Sequence, residues 1–462
     1  MTAARVPDAS SSLRASIAAG LAEVRERTLQ IVAPVSDVAL EAQHSPLMSP
    51  ILWDLGHIAE FENLWLAVRL GEVVEESALP DVFDAMRTPR SRRGELSLPD
   101  RDSMLTRLAE VRANTLELLE AVDFEASANR LIENGFVYEL VREHEAQHQE
   151  TILQTLILVE CETYAPTERR RFPAVSGANP GEMVAVPAGR FERGAAPGAF
   201  AYDNELPIHS ADTGPFEIGR YPVTNGEYID FMAAGGYRDR RLWSDSGWSW
   251  KEDAGLAAPQ YWRPEGMSRA FTAAEAEDVA RSRGAAGWER VTSLGVEPLR
   301  NRDPVVHICY HEAEACARFA GGRLPTETEW EKAAAWDPDT GGSLRYPWGS
   351  AQATADLANL DVQGYGVAPI GSFPGGCSPL GCEQLLGDTW EWTSSLFSPY
   401  PGFQAYPYDD YSAVFFGDQY MVLRGASWAT DAGVARSSFR NWDYPIRRQI
   451  FAGFRLARDA VR

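Results

Sequence analysis

The 462-residue sequence is poor in cysteine, in histidine and in positive charge. Its five cysteines are irregularly spaced and include no Cys-x-x-Cys pair, which excludes a disulfide scaffold and argues against a cysteine-based zinc site. Lys and Arg number 43 against 66 Asp and Glu, a net charge of −23, so nucleic acid and anionic membranes are disfavoured as partners. No apolar run approaches the length of a membrane span. We therefore expect a soluble, cytoplasmic protein that is a monomer or a weak oligomer.

Two of the seven histidines, His144 and His148, lie four residues apart in a stretch without Gly or Pro, 136–164. Positions i and i+4 share one face of a helix, so both imidazoles can point at one metal ion. The letters also read His-Glu-x-x-His, which supplies two ligands and a general base in zinc proteases. The alternative is a pair of solvated or buried histidines without a metal.

The first third of the chain has the periodicity of four helices. They are predicted at about residues 10–32, 51–70, 102–122 and 135–160. On the second helix Trp53, His57, Phe61 and Trp65 form one stripe, which places His57 among large apolar side chains. A long connection, 71–100, precedes the third helix. This arrangement predicts a four-helix bundle, in which metal sites are built from side chains that project inward.

The composition changes after the fourth helix. Residues 166–182 have the Pro, Gly and Arg content of a linker, and residues 183–462 are rich in Gly, Pro and Trp with short strand-like runs. No repeat of fixed period is present. The sequence therefore predicts a multi-domain protein of α plus α+β class, with a helical bundle at 1–165, the linker, and one α+β domain.

Six motifs of the second domain follow the order found in the formylglycine-generating-enzyme family. They are residues 222–228, 323–331, 346–349, 387–392, 423–428 and 453–456. The resemblance implies a C-type-lectin-like fold. That family binds copper with a pair of cysteines, but the matching stretch here, 436–443, contains none. Formylglycine chemistry is therefore not expected, since fold alone does not determine activity.

The first domain resembles the DinB-like bundles, which carry one histidine on the second helix and a pair on the last, here His57, His144 and His148. Together the two domains have the layout of the sulfoxide synthases of ergothioneine and ovothiol biosynthesis, and residues 49–58 and 441–453 are similar to the hercynine-dependent branch. The resemblance implies an Fe(II) centre that joins hercynine to γ-glutamylcysteine with dioxygen and gives γ-glutamyl hercynylcysteine S-oxide. Three histidine ligands would leave metal positions open for substrates.

The resemblance also assigns roles to other residues. Tyr408 matches the active-site phenol that donates a proton or hydrogen atom, with Tyr411 as the alternative. Arg90 and Arg93 match the pair that holds the carboxylates of γ-glutamylcysteine, and Asp443 would accept an ammonium group. The positions that line the hercynine pocket are Gln147, Tyr411, Asn441 and Trp442.

Other interpretations remain open at this stage. The same chemistry could use cysteine as the thiol, or histidine as the acceptor as in ovothiol synthesis. A zinc-dependent thiol S-transferase of DinB type and a non-catalytic lectin-type binding module are further hypotheses. A zinc protease is disfavoured because its extended motif requires a glycine and a third histidine shortly afterwards, and residues 149–153 contain neither.

Overall fold

The computed structural model describes residues 9–68, 70, 81–125, 129–159, 164–166, 169–173 and 175–460. The chain divides into two compact units, Met1–Thr167 and Glu168–Arg462. The predicted linker, 166–182, spans this division. Within the second unit the backbone N–H of Arg170 donates to the carbonyl of Gln363 at 2.6 Å.

The first unit is a bundle of helices. They are α1 Ala9–Val32, α2 Asp37–Glu41, α3 Ile51–Glu62, α4 Arg101–Ala121 and α5 Phe136–Leu156. All twelve residues of α3 are buried, because it packs against both α4 and α5. The predicted four-helix bundle is confirmed. The α-helical part of the second predicted helix, α3, ends earlier than predicted, and the chain continues from it as a turn of π-helix, Asn63–Val68.

Capping residues place the helix ends. The Asp100 carboxylate accepts a hydrogen bond from the N–H of Ser103 at 2.9 Å at the start of α4. Helix α5 begins after Gly135, whose φ of 75° lies in the left-handed region that glycine adopts without strain. The connection between α3 and α4 contains two 3-10 helices, Asp81–Phe83 and Arg90–Glu95, in its described part.

One charged residue from each long helix meets in the bundle core. Arg25 donates to Glu145 and to Glu62, both at 2.8 Å, and Arg112 donates to the same two carboxylates at 3.0 and 2.7 Å. All four residues are at most 8% exposed. Burial opposes ionisation of Glu145, but Arg25 and Arg112 outweigh it and lower the pKa of Glu145. Each guanidinium therefore bridges two carboxylates that come from different helices.

Removal of one member of this network should destabilise the bundle strongly. In Arg112→Met two buried carboxylates share one guanidinium, and breaking a buried ion pair costs about 3–5 kcal/mol. The measurement is equilibrium unfolding in urea followed by helical circular dichroism. The matched control is Glu23→Gln, which removes the pair of an exposed glutamate with Arg27 at 3.9 Å and should cost less than about 1 kcal/mol. Equal losses in the two variants would contradict the prediction.

The second unit is an α+β domain with small sheets. Its strands are β1 Met183–Val186, β2 Gly189–Arg193, β3 His209–Thr213, β4 Phe216–Gly219, β5 Trp262–Pro264, β6 Trp288–Thr292, β7 Gly295–Pro298, β8 Trp390–Leu396, β9 Met421–Gly425, β10 Asn441–Asp443, β11 Ala452–Gly453 and β12 Ala457–Asp459. Its helices are α6 Asn225–Ala233, α7 Asp245–Asp253, α8 Ala273–Arg283, α9 Tyr310–Phe319 and α10 Glu327–Ala335. The predicted α+β class is confirmed.

The strands form sheets of two to four members in the described part of the chain. The orders are β1-β4-β12, β10-β9-β8-β11, β2-β3 and β5-β6-β7, antiparallel except for the parallel pair β8 and β11. Because the sheets are short, buried charges help to join the loops to them. Arg455, fully buried, binds the Glu391 carboxylate at 2.9 Å and also donates to the carbonyls of Gly219 and Glu383.

Two further observations bear on the sequence expectations. Among the described residues, none of the helices is both long enough and apolar enough to cross a lipid bilayer. Cys309, Cys316, Cys377 and Cys382 are all unpaired thiols, and Cys161 lies outside the described residues.

Candidate metal centre

The structure brings the three predicted histidines of the first unit together. His57 on α3 faces His144 and His148 on α5, and one ring nitrogen of each lies within 4.8 Å of the others. The Nε2 atoms of His57 and His144 are 3.2 Å apart. Because His144 and His148 are one helical turn apart, the packing of α3 against α5 completes a three-imidazole cluster.

The outer nitrogens of two of these rings are anchored. His57 Nδ1 lies 2.6 Å from the carbonyl oxygen of Phe83, and His148 Nδ1 lies 2.9 Å from a carboxylate oxygen of Asp54, which is 1% exposed. A carbonyl or an ionised carboxylate can only accept, so each Nδ1 carries the proton and Nε2 keeps its lone pair for a metal. The ring of His144 stacks on Phe61 with 3.6 Å between centroids, which fixes its plane.

The electrostatic surroundings favour neutral ligands. Burial lowers the pKa of His57 and of His144 well below the ordinary value, and the neighbouring His148 lowers both further. Both rings are therefore neutral at neutral pH, as metal ligation requires. Three imidazoles with anchored rings fit a divalent transition metal that keeps open positions, whereas a structural zinc site is closed by a fourth ligand.

Glu145, the acid of the His-Glu-x-x-His pattern, does not serve this centre. Its carboxylate accepts from Arg25 and Arg112 and from the hydroxyl of Thr28 at 2.7 Å. A carboxylate held in this way cannot act as a general base at the histidines. The zinc-protease interpretation therefore lacks the general base that it requires.

The segment before α4 docks on the turn of α3 that carries His57. The indole N–H of Trp53 donates to the carbonyl of Val82 at 2.7 Å, one residue before the Phe83 carbonyl that holds His57. Gly56 makes this approach possible, since a Cβ there would lie 2.2 Å from the ring of Phe83. Two consecutive carbonyls thus attach this segment to α3.

Arg93 shares an aromatic stack with the ligand His57. Its guanidinium carbon lies 3.3 Å from the centre of the Trp53 ring, and Trp53 stacks on His57 with 4.8 Å between centroids and 14° between planes. Arg93 also donates to Ser49 Oγ at 2.7 Å and to the Thr88 carbonyl at 3.0 Å. Burial and the charge of Arg90 lower the pKa of Arg93 to about 10, so it remains charged at neutral pH.

The other predicted residues of the first unit lie on the surface or between the ligands. Arg90 is exposed and begins the 3-10 helix Arg90–Glu95. Gln147 lies on α5 between His144 and His148, and its amide donates to the carbonyl of Glu143 at 3.3 Å.

In the second unit the structure gathers three of the predicted aromatic residues. The ring of Tyr411 meets those of Tyr408 and Trp442 edge to face, with centroids 6.4 and 5.9 Å apart. The Tyr411 ring also stacks on that of Tyr202, with 4.1 Å between centroids. Trp442 in turn stacks on Phe397 at 4.1 Å. These contacts hold the aromatic cluster rigidly.

Asp203, which the sequence did not point to, anchors the loop that carries Tyr408. Its carboxylate accepts from the Ser412 hydroxyl at 2.5 Å and from the N–H of Tyr406 at 3.3 Å. Burial raises the pKa of Tyr408, and the negative charge of Asp203 raises it further. The phenol therefore stays protonated at neutral pH and can donate.

Asn441, Trp442 and Asp443 form β10, which pairs with β9. The Asn441 side-chain oxygen accepts from the N–H of Trp442 at 2.8 Å. Asp443 accepts from Arg447 at 3.2 Å and from the N–H of Tyr444 at 2.8 Å. An ammonium group at Asp443 would therefore share the carboxylate with Arg447.

Asp54 should control the metal affinity of the centre without being a ligand. Loss of a carboxylate that orients a ligand histidine costs about 10- to 100-fold in metal affinity, and this loss is expected for Asp54→Ala in a titration of the protein with Fe(II) or Co(II). The matched control, Glu139→Gln, removes an acid of α5 that pairs with Arg142 and should leave the affinity within about twofold. An unchanged affinity in Asp54→Ala would exclude the anchoring role.

Two family models match the chain. A sulfatase-modifying factor enzyme 1-like domain matches residues 169–460, and the DinB superfamily matches residues 21–152. The sequence is 44% identical over 473 residues to the hercynine oxygenase of Mycolicibacterium thermoresistibile, covering 100% of this chain and 98% of that protein. It is 44% identical over 452 residues to the hercynine oxygenase of Mycobacterium tuberculosis, covering 96% and 98%. The formylglycine-generating enzyme of Thermomonospora curvata is 34% identical over 233 residues, covering 47% and 72%.

Proposed function

This chain belongs to the family of the hercynine oxygenases, and from that membership we propose that it is an oxygen-using oxidoreductase of ergothioneine biosynthesis. In finer detail, we propose a non-haem Fe(II) sulfoxide synthase that joins hercynine to γ-glutamylcysteine. The observation that carries the proposal is the cluster of His57, His144 and His148, with anchored outer nitrogens, in a chain that aligns with hercynine oxygenases along its whole length.

The proposed reaction balances with dioxygen as the only oxidant. One C–H bond of the hercynine imidazole and the S–H bond of the thiol are lost, while a C–S bond and an S=O bond form. One oxygen atom is retained in the sulfoxide and the other leaves as water. The bound iron would supply oxygen activation and a binding position for the sulfur of the co-substrate. A thiol that coordinates a metal readily loses its proton.

The residues of the first unit hold the metal and the thiol. The Phe83 carbonyl and Asp54 keep the protons on the outer nitrogens of His57 and His148, so that both Nε2 atoms are free to bind. Arg93 uses Nε and Nη1 in bonds to the protein, which fixes the plane of its guanidinium. Its remaining edge is thus preoriented for a substrate carboxylate, and Arg90 adds a second positive charge.

The residues of the second unit supply a proton and an aromatic surface. Tyr408 is protonated and is held by the loop that Asp203 anchors, so its phenol can donate a proton. Tyr411 and Trp442 offer ring faces and edges at fixed angles. A trimethylammonium group has no N–H to donate and is recognised through such aromatic surfaces.

Turnover in labelled dioxygen tests this function. The protein reconstituted with Fe(II) is incubated with hercynine, γ-glutamylcysteine and ¹⁸O₂, and mass spectrometry should find the sulfoxide with one ¹⁸O atom. His57→Ala should lose both iron and product. His209→Ala, the same change at a histidine outside the cluster, should retain both. Absence of a sulfoxide with γ-glutamylcysteine or cysteine, or a product formed equally well without oxygen, would refute the proposal.

Arg90 should distinguish the dipeptide thiol from free cysteine. Loss of a charged carboxylate contact in Arg90→Ala should raise the KM for γ-glutamylcysteine about tenfold or more and change the KM for cysteine much less. The control is Arg92→Ala in the same short helix, where Arg92 is exposed and lies 3.7 Å from Glu95. Oxygen uptake at varied thiol concentration measures both. Equal effects of the two variants would show that Arg90 acts only through the general charge of the loop.

A further inference from the structure

The second unit contains a basic cavity that none of the predicted site residues lines. Its volume is about 480 Å³, within the range of small-molecule sites. Five arginines lie in its wall, from three separate parts of the chain: Arg169, Arg170, Arg171, Arg290 and Arg300. The chain as a whole carries a net charge of −23. Five guanidinium groups in one cavity wall are unexpected in a protein with so large a negative charge.

The acids at this cavity do not neutralise it. Arg169 and Arg290 share Glu297, at 2.9 and 3.3 Å, and Arg290 and Arg300 share Asp303, at 3.6 and 2.9 Å. Three guanidinium groups thus meet two carboxylates. Ion pairing alone would need fewer arginines, so the wall keeps an excess of positive charge.

The two remaining arginines add to this excess. Arg170 has one carboxylate nearby, the exposed Asp356 at 3.6 Å, and Arg171 is exposed with no ion pair among the described residues. Arg290 is only 9% exposed, and its Nε has no hydrogen-bond partner within the described part of the chain. A buried donor without a partner costs free energy that a bound oxyanion would recover.

Two of these arginines are also held in place before any ligand binds. Arg169 Nε donates to the carbonyl of Gly364 at 3.0 Å, and Arg170 donates to the side chain of Gln363 at 2.9 Å. Gly364 permits close packing, since a Cβ there would lie 2.3 Å from the ring of Phe172 in the cavity wall. A rigid wall loses little conformational entropy on binding.

We propose that this cavity binds a small polyanion with at least two phosphate or carboxylate groups. Guanidinium forks bind both kinds of oxyanion in the same bidentate geometry, and several arginines in one wall select for more than one such group. Nucleic acid is the less suitable ligand, because the rest of the surface is strongly acidic. This site is independent of the proposed oxygenase activity.

Calorimetric titration of the full-length protein tests the proposal, with pyrophosphate and citrate as separate probes at constant ionic strength in a buffer without phosphate. At least one probe should bind with a Kd below about 1 mM. Arg171→Ala and Arg300→Ala should each weaken that binding about fivefold or more. The probe that binds more tightly identifies the favoured class of oxyanion.

Two control variants locate the binding site. Arg190→Ala removes an arginine of β2 whose side chain is 82% exposed, and Arg92→Ala removes an exposed arginine of the first unit. Both should change the Kd less than twofold. The proposal is overturned if neither probe binds with a Kd below about 1 mM, or if the controls weaken binding as much as the cavity variants do.

Discussion

The first unit depends on the four buried charges that join its long helices. Apolar faces alone tolerate small rotations of one helix against another, but Arg25 and Arg112 each bind both Glu62 and Glu145. These contacts restrict the rotation of α5. Since His144 precedes Glu145 directly and His148 follows one turn later, the same constraint directs both imidazoles toward His57 on α3.

Groups around the three histidines also set the orientation of their rings. The Phe83 carbonyl, the Asp54 carboxylate and the ring of Phe61 each position one histidine. The Phe83 carbonyl belongs to the segment that also carries Arg93, and Trp53 separates Arg93 from His57 within a single stack. The part of the chain that we propose to bind the thiol is therefore built onto the helical turn that carries His57.

The sequence predicted the bundle, the α+β domain and the histidine cluster, because periodicity, spacing and family motifs are local signals. Asp54 also had a signal in the sequence, because it is the only acid within residues 51–59 of the second helix. Phe83 had none, since it acts through a backbone carbonyl. Asp203 and Ser412 are 209 residues apart in sequence, so only the folded chain shows their contact. The pattern around Glu145 was misleading, because the letters fix where the acid lies on its own helix but not which groups of the neighbouring helices it meets.

The buried ion pairs of Glu145 have a consequence for protein engineering. A His-Glu-x-x-His helix suggests an easy starting point for a designed hydrolase, because two ligands and an acid are already present. Here the Glu145 carboxylate contributes to the stability of the bundle, because it accepts hydrogen bonds from two arginines of other helices. A laboratory evolution experiment toward peptide hydrolysis would therefore have to rebuild three helices before it could recruit this carboxylate.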